Sequence, residues 1–416
     1  MLSRFHVSGF KSLADVSVEL PRLAVLIGPN AAGKSNLLDA FQVLARVGTE
    51  RTLADALGGP IRGFPIEAFA LPSGGLPELL QQPDARFRLK ADLRLPSGGN
   101  GADAKARYRV SITIDPDTGV LSVSDEYLTK LDRQGRPKDL ARVEPENGEL
   151  VIRRRGSGGR PPHEPLGARH TLLSDTRLSG DGYPLFDQVR AELRNWRTYY
   201  LDPGTRMRAD STPRDVGDIG VHGEHLAAFL YGLKAQQPKT FDTVARALRT
   251  VIPSIGRLDV DLDTKRGTLD IQIEQDGTMF SSRVISEGTL RVLALCAIAV
   301  TADPNGLIAF EEPENGVHPQ RIDRIADLLV SLVHRGAAQL IVTTHSPSFA
   351  AAVLERSRAV SANVGLFACG RDGAATTIRR LPDPGLFTDE TLDELLIEPV
   401  ERDRVEAVLR RGWLDG

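Results

Sequence analysis

Three features of the sequence predict an α/β fold built on a mixed β-sheet, with a compact α+β insert. Leu23-Ala24-Val25-Leu26-Ile27 is a continuous apolar run broken by Gly28, the pattern of a buried parallel strand. Short apolar runs at 307–310 (LIAF) and 340–343 (LIVT) flank a helical face of Ile322, Ile325, Ala326, Leu329, Leu332 and Val333. Between these two regions, strand-like segments follow one another across Gly and Pro turns, as in an antiparallel meander.

The elements follow in order. Phe5 and Val7, then Val16, Val18 and Leu20, alternate with polar neighbours and read as strands. A helix is expected from about Lys34, with Leu37, Leu38, Phe41, Leu44 and Ala45 on one face. Residues 49–85 are punctuated by Gly and Pro and resist assignment. Strands are expected at 87–95, 107–114, 120–131 and 150–153, and helices at 184–196, 223–235 and 240–251. The run RRRGSGGRPP at 153–162 reads as an exposed basic loop. From Leu258 strands and helices alternate. The stretch 290–300 is apolar nearly all round and reads as a buried helix. The last 70 or so residues are expected to hold one or two strands and a charged helix. The implied division is 1–48 for an N-terminal lobe, 49–183 for a mostly β insert, 184–256 for a helical subdomain and 257–416 for a C-terminal lobe. Neither sustained heptads nor an internal repeat is present.

Composition bounds the function classes. The 416 residues are 41% hydrophobic and 26% charged, as in an ordinary soluble globular protein. The net charge of −3 argues against coating nucleic acid by bulk charge, but not against a local basic groove. The two cysteines, Cys296 and Cys369, form neither a disulfide framework nor a zinc pattern, which fits a reducing cytoplasm. The N-terminus lacks the layout of a signal peptide. The longest apolar stretch, 292–300, falls short of the ~20 residues that a membrane span needs, so no membrane partner is expected.

The chemistry lies in four motifs. GPNAAGKS at 28–35 is a complete GxxxxGK[ST] loop between a predicted strand and a predicted helix. Such a loop cradles phosphates with backbone N–H groups at a helix N-terminus. Gly28, Asn30, Gly33, Lys34, Ser35 and Asn36 are the expected ATP-binding residues. Lys34 is placed on the β- and γ-phosphates, and the Ser35 hydroxyl on Mg2+. LIAFEEP at 307–313 is an apolar strand ending in acids. Glu311 is assigned to the metal and Glu312 to the attacking water. Ser286-Glu287-Gly288 precedes the buried helix, where a Ser cap and a helix N-terminus suit an anion, although a plain N-cap reads the same way. His345, in TTHSP at 343–347, stands at a strand end where it can sense a γ-phosphate, or simply occupy a surface turn.

The order of these motifs is that of ABC-type ATPases, and the text resembles one branch of them. FKSLADVSVEL with LAVLIGPNAAGKSNLL, ISEGTLRVLAL, and FEEPENGVHP with IVTTHSP resemble the heads of the SMC, RecF and OLD group. NWRTYYLDP and HGEHLAAFL resemble the middle of predicted bacterial ATPases of the same group. The likeness covers about 1–47 and 190–350. It implies a P-loop NTPase head of ABC type that pairs as a homodimer or higher homo-oligomer around ATP. Lys34, Ser35, Glu311 and Glu312 of one subunit would then face Ser286, Glu287 and Gly288 of the other. The signature is shortened to ISEGT, and no Q-loop glutamine is assigned, Gln81 and Gln82 being candidates by position only.

OLD-type proteins carry a nuclease after the ATPase. The short stretch after His345 has no Asp-x-Asp, and Asp383, Asp389, Glu390, Asp393 and Glu394 read as turn and cap acids, so any cutting is assigned to a separate protein. Arg153, Arg154, Arg155, Arg160, Arg194, Arg197, Arg206 and Arg208 either meet nucleic-acid phosphates or form a solvated loop and ion pairs, and the acidic net charge favours the second. The expected function is ATP hydrolysis coupled to double-stranded DNA or an effector, in repair or phage defence. A slow ATP-gated scaffold that regulates a partner is the alternative, and a transporter ATPase subunit a third reading.

Overall fold

The computed structural model describes residues 1–96, 104–156, 160–303, 306–334, 336, 338–359 and 363–381. In chain order the strands are β1 (Leu2–Phe10), β2 (Leu13–Glu19), β3 (Leu23–Ile27), β4 (Ala85–Leu95), β5 (Ala104–Ile114), β6 (Leu121–Leu131), β7 (Val143–Glu146), β8 (Glu149–Ile152) and β9 (His163–Pro165). They continue as β10 (Trp196–Tyr199), β11 (Ile255–Asp263), β12 (Thr268–Gln275), β13 (Thr278–Ser281), β14 (Gly306–Glu311), β15 (Ala338–Thr344), β16 (Val364–Asp372) and β17 (Ala375–Arg380). The helices are α1 (Lys34–Val47), α2 (Leu53–Leu57), α3 (Leu76–Leu79), α4 (Pro184–Arg194), α5 (Leu226–Gln236), α6 (Pro238–Val251), α7 (Glu287–Thr301), α8 (Ile322–His334) and α9 (Pro347–Ala359).

The chain forms two compact units. The first holds Met1–Pro21, Gly28–Trp196 and Phe367–Arg380. Its antiparallel sheet has the order β2-β1-β4-β5-β6-β7-β8-β9, so the strands of the 49–183 stretch share one sheet with β1 and β2. Alternation makes this sheet two-faced. Phe87, Leu89, Ala91, Leu93 and Leu95 of β4 are buried, while Arg88, Lys90 and Arg94 between them face outward. Phe5 meets Phe41 of α1 at a ring distance of 4.7 Å, and Phe10 and Phe69 both meet Phe87. The 49–85 stretch forms α2, α3 and a 3-10 turn at Pro65–Ala68.

The second unit holds Arg22–Ile27 and Arg197–Leu366. Its core is parallel: β14 pairs with β15, and β15 with β3. Every residue of β3 and β15 is buried, which is why these runs are apolar without alternation. A second, antiparallel sheet joins β11, β12 and β13. α7 is buried over Gly288–Ile298 save for Arg291, as its nearly all-round apolar text predicts.

Three expectations change. The helix expected over 184–196 stops at Arg194, and Trp196 opens β10, its indole hydrogen-bonded to Glu192. A helix, α9, follows His345 where none is expected, and its Phe349–Leu354 run is buried. The short strands β7, β9 and β13 carry polar text with no period for a sequence reading to find. The charged C-terminal helix and the acids from Asp383 to Glu394 lie outside the described residues.

Candidate functional site

The glycine loop belongs to the first unit and begins directly after β3. A Cβ at Gly28 would run into the Cys369 carbonyl oxygen, and one at Gly33 into the Thr376 hydroxyl. Gly33 also sits at φ 94° and Ala31 at φ 64°, the left-handed backbone from which anion-binding nests are built. No side chain caps α1, so its N-terminus keeps the partial positive charge of an uncapped helix. Lys34 is buried and donates to the carbonyls of Gly28 (2.7 Å) and Pro29 (2.9 Å). Two carbonyls of the loop itself thus hold the ammonium. Asn30 is exposed at the loop tip, and Ser35 is half-buried in the first turn of α1. The Asn36 amide donates to Ser12 Oγ (2.7 Å), which meets Thr376 Oγ1 at 2.6 Å.

The acids and the histidine belong to the second unit. Parallel register sets Glu311 beside Thr343, and Thr344 beside Ile27. The carboxyl ends of β14, β15 and β3 therefore line one sheet edge, the edge at which open α/β sheets bind ligands. Glu311 ends β14, half-buried. Glu312 takes φ 43° and donates its N–H to the Thr343 carbonyl (3.0 Å). That turn brings its carboxylate within 2.9 Å of His345 Nδ1, with the histidine 45% and the glutamate 20% exposed. Both side chains are thus accessible to a reactant.

Behind this pair lies a layer that sequence reasoning missed. Glu314 is buried, accepts from the Thr344 hydroxyl, and leaves Oε2 without a hydrogen bond. Burial pushes its carboxyl up to about 7, against the pull of the Thr344 hydroxyl. Arg291 reaches the Glu312 carbonyl at 3.4 Å, and desolvation holds its guanidinium below the usual range while Glu314 and Glu287 oppose that shift. The signal in the sequence was a lone cation inside the apolar text of α7.

Ser286 caps α7 as an ordinary N-cap, accepting the Thr289 N–H at 3.2 Å. Ser286 and Glu287 are exposed, and Gly288 is buried. A Cβ at Gly288 would strike the Gly316 carbonyl, so this glycine lets the helix start pack on the turn that follows Glu314. Burial pushes the thiols of both Cys296 and Cys369 up to about 12, which removes them from thiolate chemistry.

Comparison with solved structures gives the class. An SMC head bound to the C-winged helix domain of ScpA superposes with a TM-score of 0.52 at 15% identity, covering 91% of this chain and 98% of that one. The Smc head with an extended coiled coil, bound to the C-terminal domain of ScpA derived from Pyrococcus furiosus, gives 0.50 at 12% identity, over 95% and 99%. The fold is that of an SMC/RecF-like, ABC-type P-loop ATPase head. A stretch of 55 residues is 47% identical to the DNA replication and repair protein RecF of Lactobacillus delbrueckii subsp. bulgaricus, spanning 13% of this chain and 14% of that relative. Residues 23–351 match the family described as "AAA domain, putative AbiEii toxin, Type IV TA system", and the chain belongs to that family.

Proposed function

We propose that the chain binds Mg2+–ATP and hydrolyses it as a two-fold dimer, with the cycle coupled to DNA or to an effector protein in DNA repair or anti-phage defence. The Glu312–His345 pair carries this reading. It lies at the edge of the second unit's sheet where β14, β15 and β3 end. Each unit brings donors that suit a nucleotide: the first an ammonium on Lys34, the uncapped N-terminus of α1 and the Ser35 hydroxyl, the second the Glu311 carboxylate. Among the described residues no three His, Cys, Asp or Glu side chains converge on a metal site. A magnesium ion here would thus take most of its ligands from phosphate and water. Glu312 orients and deprotonates the attacking water, and His345 holds the carboxylate and contacts the γ-phosphate.

Ser286, Glu287 and Gly288 would serve the nucleotide of a second copy, giving two equivalent sites about one axis. The exposure of Ser286 and Glu287 supports this. The name of RecF, and the ScpA domains bound to the SMC heads, support a DNA or protein partner. No helix of the described residues is long and apolar enough to cross a membrane, and a cytoplasmic setting is part of the proposal.

The test is steady-state ATP turnover with and without duplex DNA, beside Glu312→Gln. Turnover that DNA stimulates and that Glu312→Gln lowers by roughly 100-fold or more supports the reading. Bound ATP and intact dimers with negligible turnover in every sample would refute it in favour of an ATP-gated scaffold.

A further inference from the structure

The first unit carries a small cleft that shares no lining residue with the glycine loop. It is lined by Lys130 at the end of β6, by Arg142, Arg153 and Arg155 around the β7–β8 hairpin, and by Tyr183 and Phe186 at the start of α4. Backbone pairing builds it. The Arg142 N–H donates to Leu128 O (2.6 Å) and the Arg153 N–H to Arg142 O (2.9 Å), which sets both arginines beside the end of β6. The Arg155 N–H donates to Gly182 O (2.9 Å) and ties this segment to the entry of α4. Between them Arg154 lies over the Tyr183 ring, 5.4 Å from its centroid, and donates to its hydroxyl at 2.9 Å.

The charges in this cleft are not balanced. Arg153 has carboxylate partners in Glu144 (2.5 Å) and Glu146 (4.0 Å). Among the described residues the Arg142 side chain has one bond, to the Arg154 carbonyl (3.3 Å). The side chains of Lys130 and Arg155 make neither a hydrogen bond nor an ion pair among the described residues. α4 begins at Pro184 without a side-chain cap, and its first-turn acid, Asp187, is taken up by Ser179, Gly180 and Arg190. Three half-buried or exposed cations thus converge with a helix N-terminus, the surroundings that favour a phosphate. The sequence from 130 to 160 holds nine Lys and Arg against five Asp and Glu, a net +4 in a chain of net −3. That local excess suits a run of phosphates better than a single free anion.

We propose that this cleft seats a phosphate of a nucleic-acid backbone, with Lys130, Arg142 and Arg155 supplying the charge. It deepens the nucleic-acid arm of the proposed function and rests on that reading for its setting only. The experiment uses the full chain without nucleotide, so that failure of the ATPase reading leaves its outcome standing. Binding of short fluorescein-labelled single-stranded and duplex oligonucleotides is followed by anisotropy from about 50 to 200 mM salt. The double variant Lys130→Gln/Arg155→Gln removes two cations whose side chains make no hydrogen bond or ion pair among the described residues. Lys239→Gln/Lys265→Gln, both exposed in the second unit, removes the same charge elsewhere.

The cleft variant is expected to bind about 10-fold or more weakly, with a log–log salt slope shallower by about 1 to 2, while the control stays within about two-fold of the parent chain. Arg142→Gln keeps a donor for the Arg154 carbonyl and is expected to weaken binding in the same direction. Equal affinity of cleft variant and parent overturns the proposal, as does equal weakening by the control. Inorganic phosphate that raises the melting temperature of the parent but not of the cleft variant, with oligonucleotide binding unchanged between them, overturns the nucleic-acid source and leaves a small-anion site.

Discussion

Glu126 sits in the core of the first unit because the β5–β6 ladder slips by one residue. Ile112 faces Val123, but Ser111 faces Asp125 and Val110 faces Glu126. The extra residue turns a carboxylate inward. There its oxygens accept from the Tyr108 hydroxyl (3.0 Å) and from the N–H groups of Leu172 (2.7 Å) and Leu173 (2.9 Å). Burial wins over these three bonds and pushes the carboxyl from 4.5 to about 7. The folded chain therefore holds a proton through a window in which the unfolded chain has lost it. The stability this contributes is complete below about pH 4.5 and is lost as the pH rises through about 7. A shift of that size corresponds to roughly 3 kcal/mol. Glu126→Gln is neutral at every pH and opposes an NH2 group to one of the three donors, so it destabilises at pH 5. Its penalty is expected to shrink by roughly 2.5 kcal/mol between pH 5 and pH 8, because the parent chain weakens over that range and the variant does not. The assay is urea unfolding of both chains across that range, read as the difference between them, which cancels Glu314 and every other shared group. A gap that stays constant with pH would show that Glu126 is not the buried titrating group described here.

The other predictions concern the loop and the strand end. Gly28→Ala drives a methyl into the Cys369 backbone carbonyl, which cannot swing aside, and is expected to lower stability by about 2–4 kcal/mol in thermal or urea unfolding. An unchanged melting temperature would mean that β16 does not abut the loop. Arg371, exposed, donates to the carbonyls of Ala31 (3.0 Å) and Ala374 (2.7 Å), pinning the loop tip. Arg371→Ala should leave stability within about 0.5 kcal/mol and weaken binding of a fluorescent ATP analogue about 3- to 10-fold, and equal affinity would exclude that role. Because Glu312 holds a left-handed φ of 43°, Glu312→Gly is expected to be more stable than Glu312→Ala by about 1 kcal/mol. Alanine matching or exceeding glycine in urea unfolding would show that the turn carries no strain.

The parts legible in the sequence are those that local pattern determines. β3 is apolar because all its residues are buried, and the glycine loop is legible because strand, loop and helix are contiguous. α7 announces itself by apolar text around its whole circumference, and Glu311, Glu312 and His345 by their place at the ends of apolar runs. What escaped is set by distant partners. Nothing in residues 105–131 marks the one-residue slip that buries Glu126, because Asp125-Glu126 reads equally well with either acid outward. The reason Gly28 and Gly33 lack side chains lies in Cys369 and Thr376, more than three hundred residues away. The assignment of β3 to the second unit rests on its pairing with β15, which periodicity within β3 cannot reveal. The arginines at 153–155 read in the sequence as an exposed basic loop, yet two of the three have fixed side-chain partners, in Glu144 and Tyr183.

The choice between turnover and a static ATP clamp bears on Glu312 more than on the glycine loop. A clamp needs Lys34, Ser35 and the start of α1, which the proposed function assigns to phosphate whether or not the nucleotide is turned over. It has no use for a glutamate held in a backbone conformation that disfavours side chains by ~1 kcal/mol or more, with its carboxylate fixed on His345 and still open to reactants. Such strain persists only where the surroundings impose it. Here the Thr343 carbonyl accepts the Glu312 N–H, Arg291 reaches the Glu312 carbonyl, and buried Glu314 lies two residues on. That scaffold aims one carboxylate at one point beside the strand ends, which is what the proposed activation of a water molecule would ask of it.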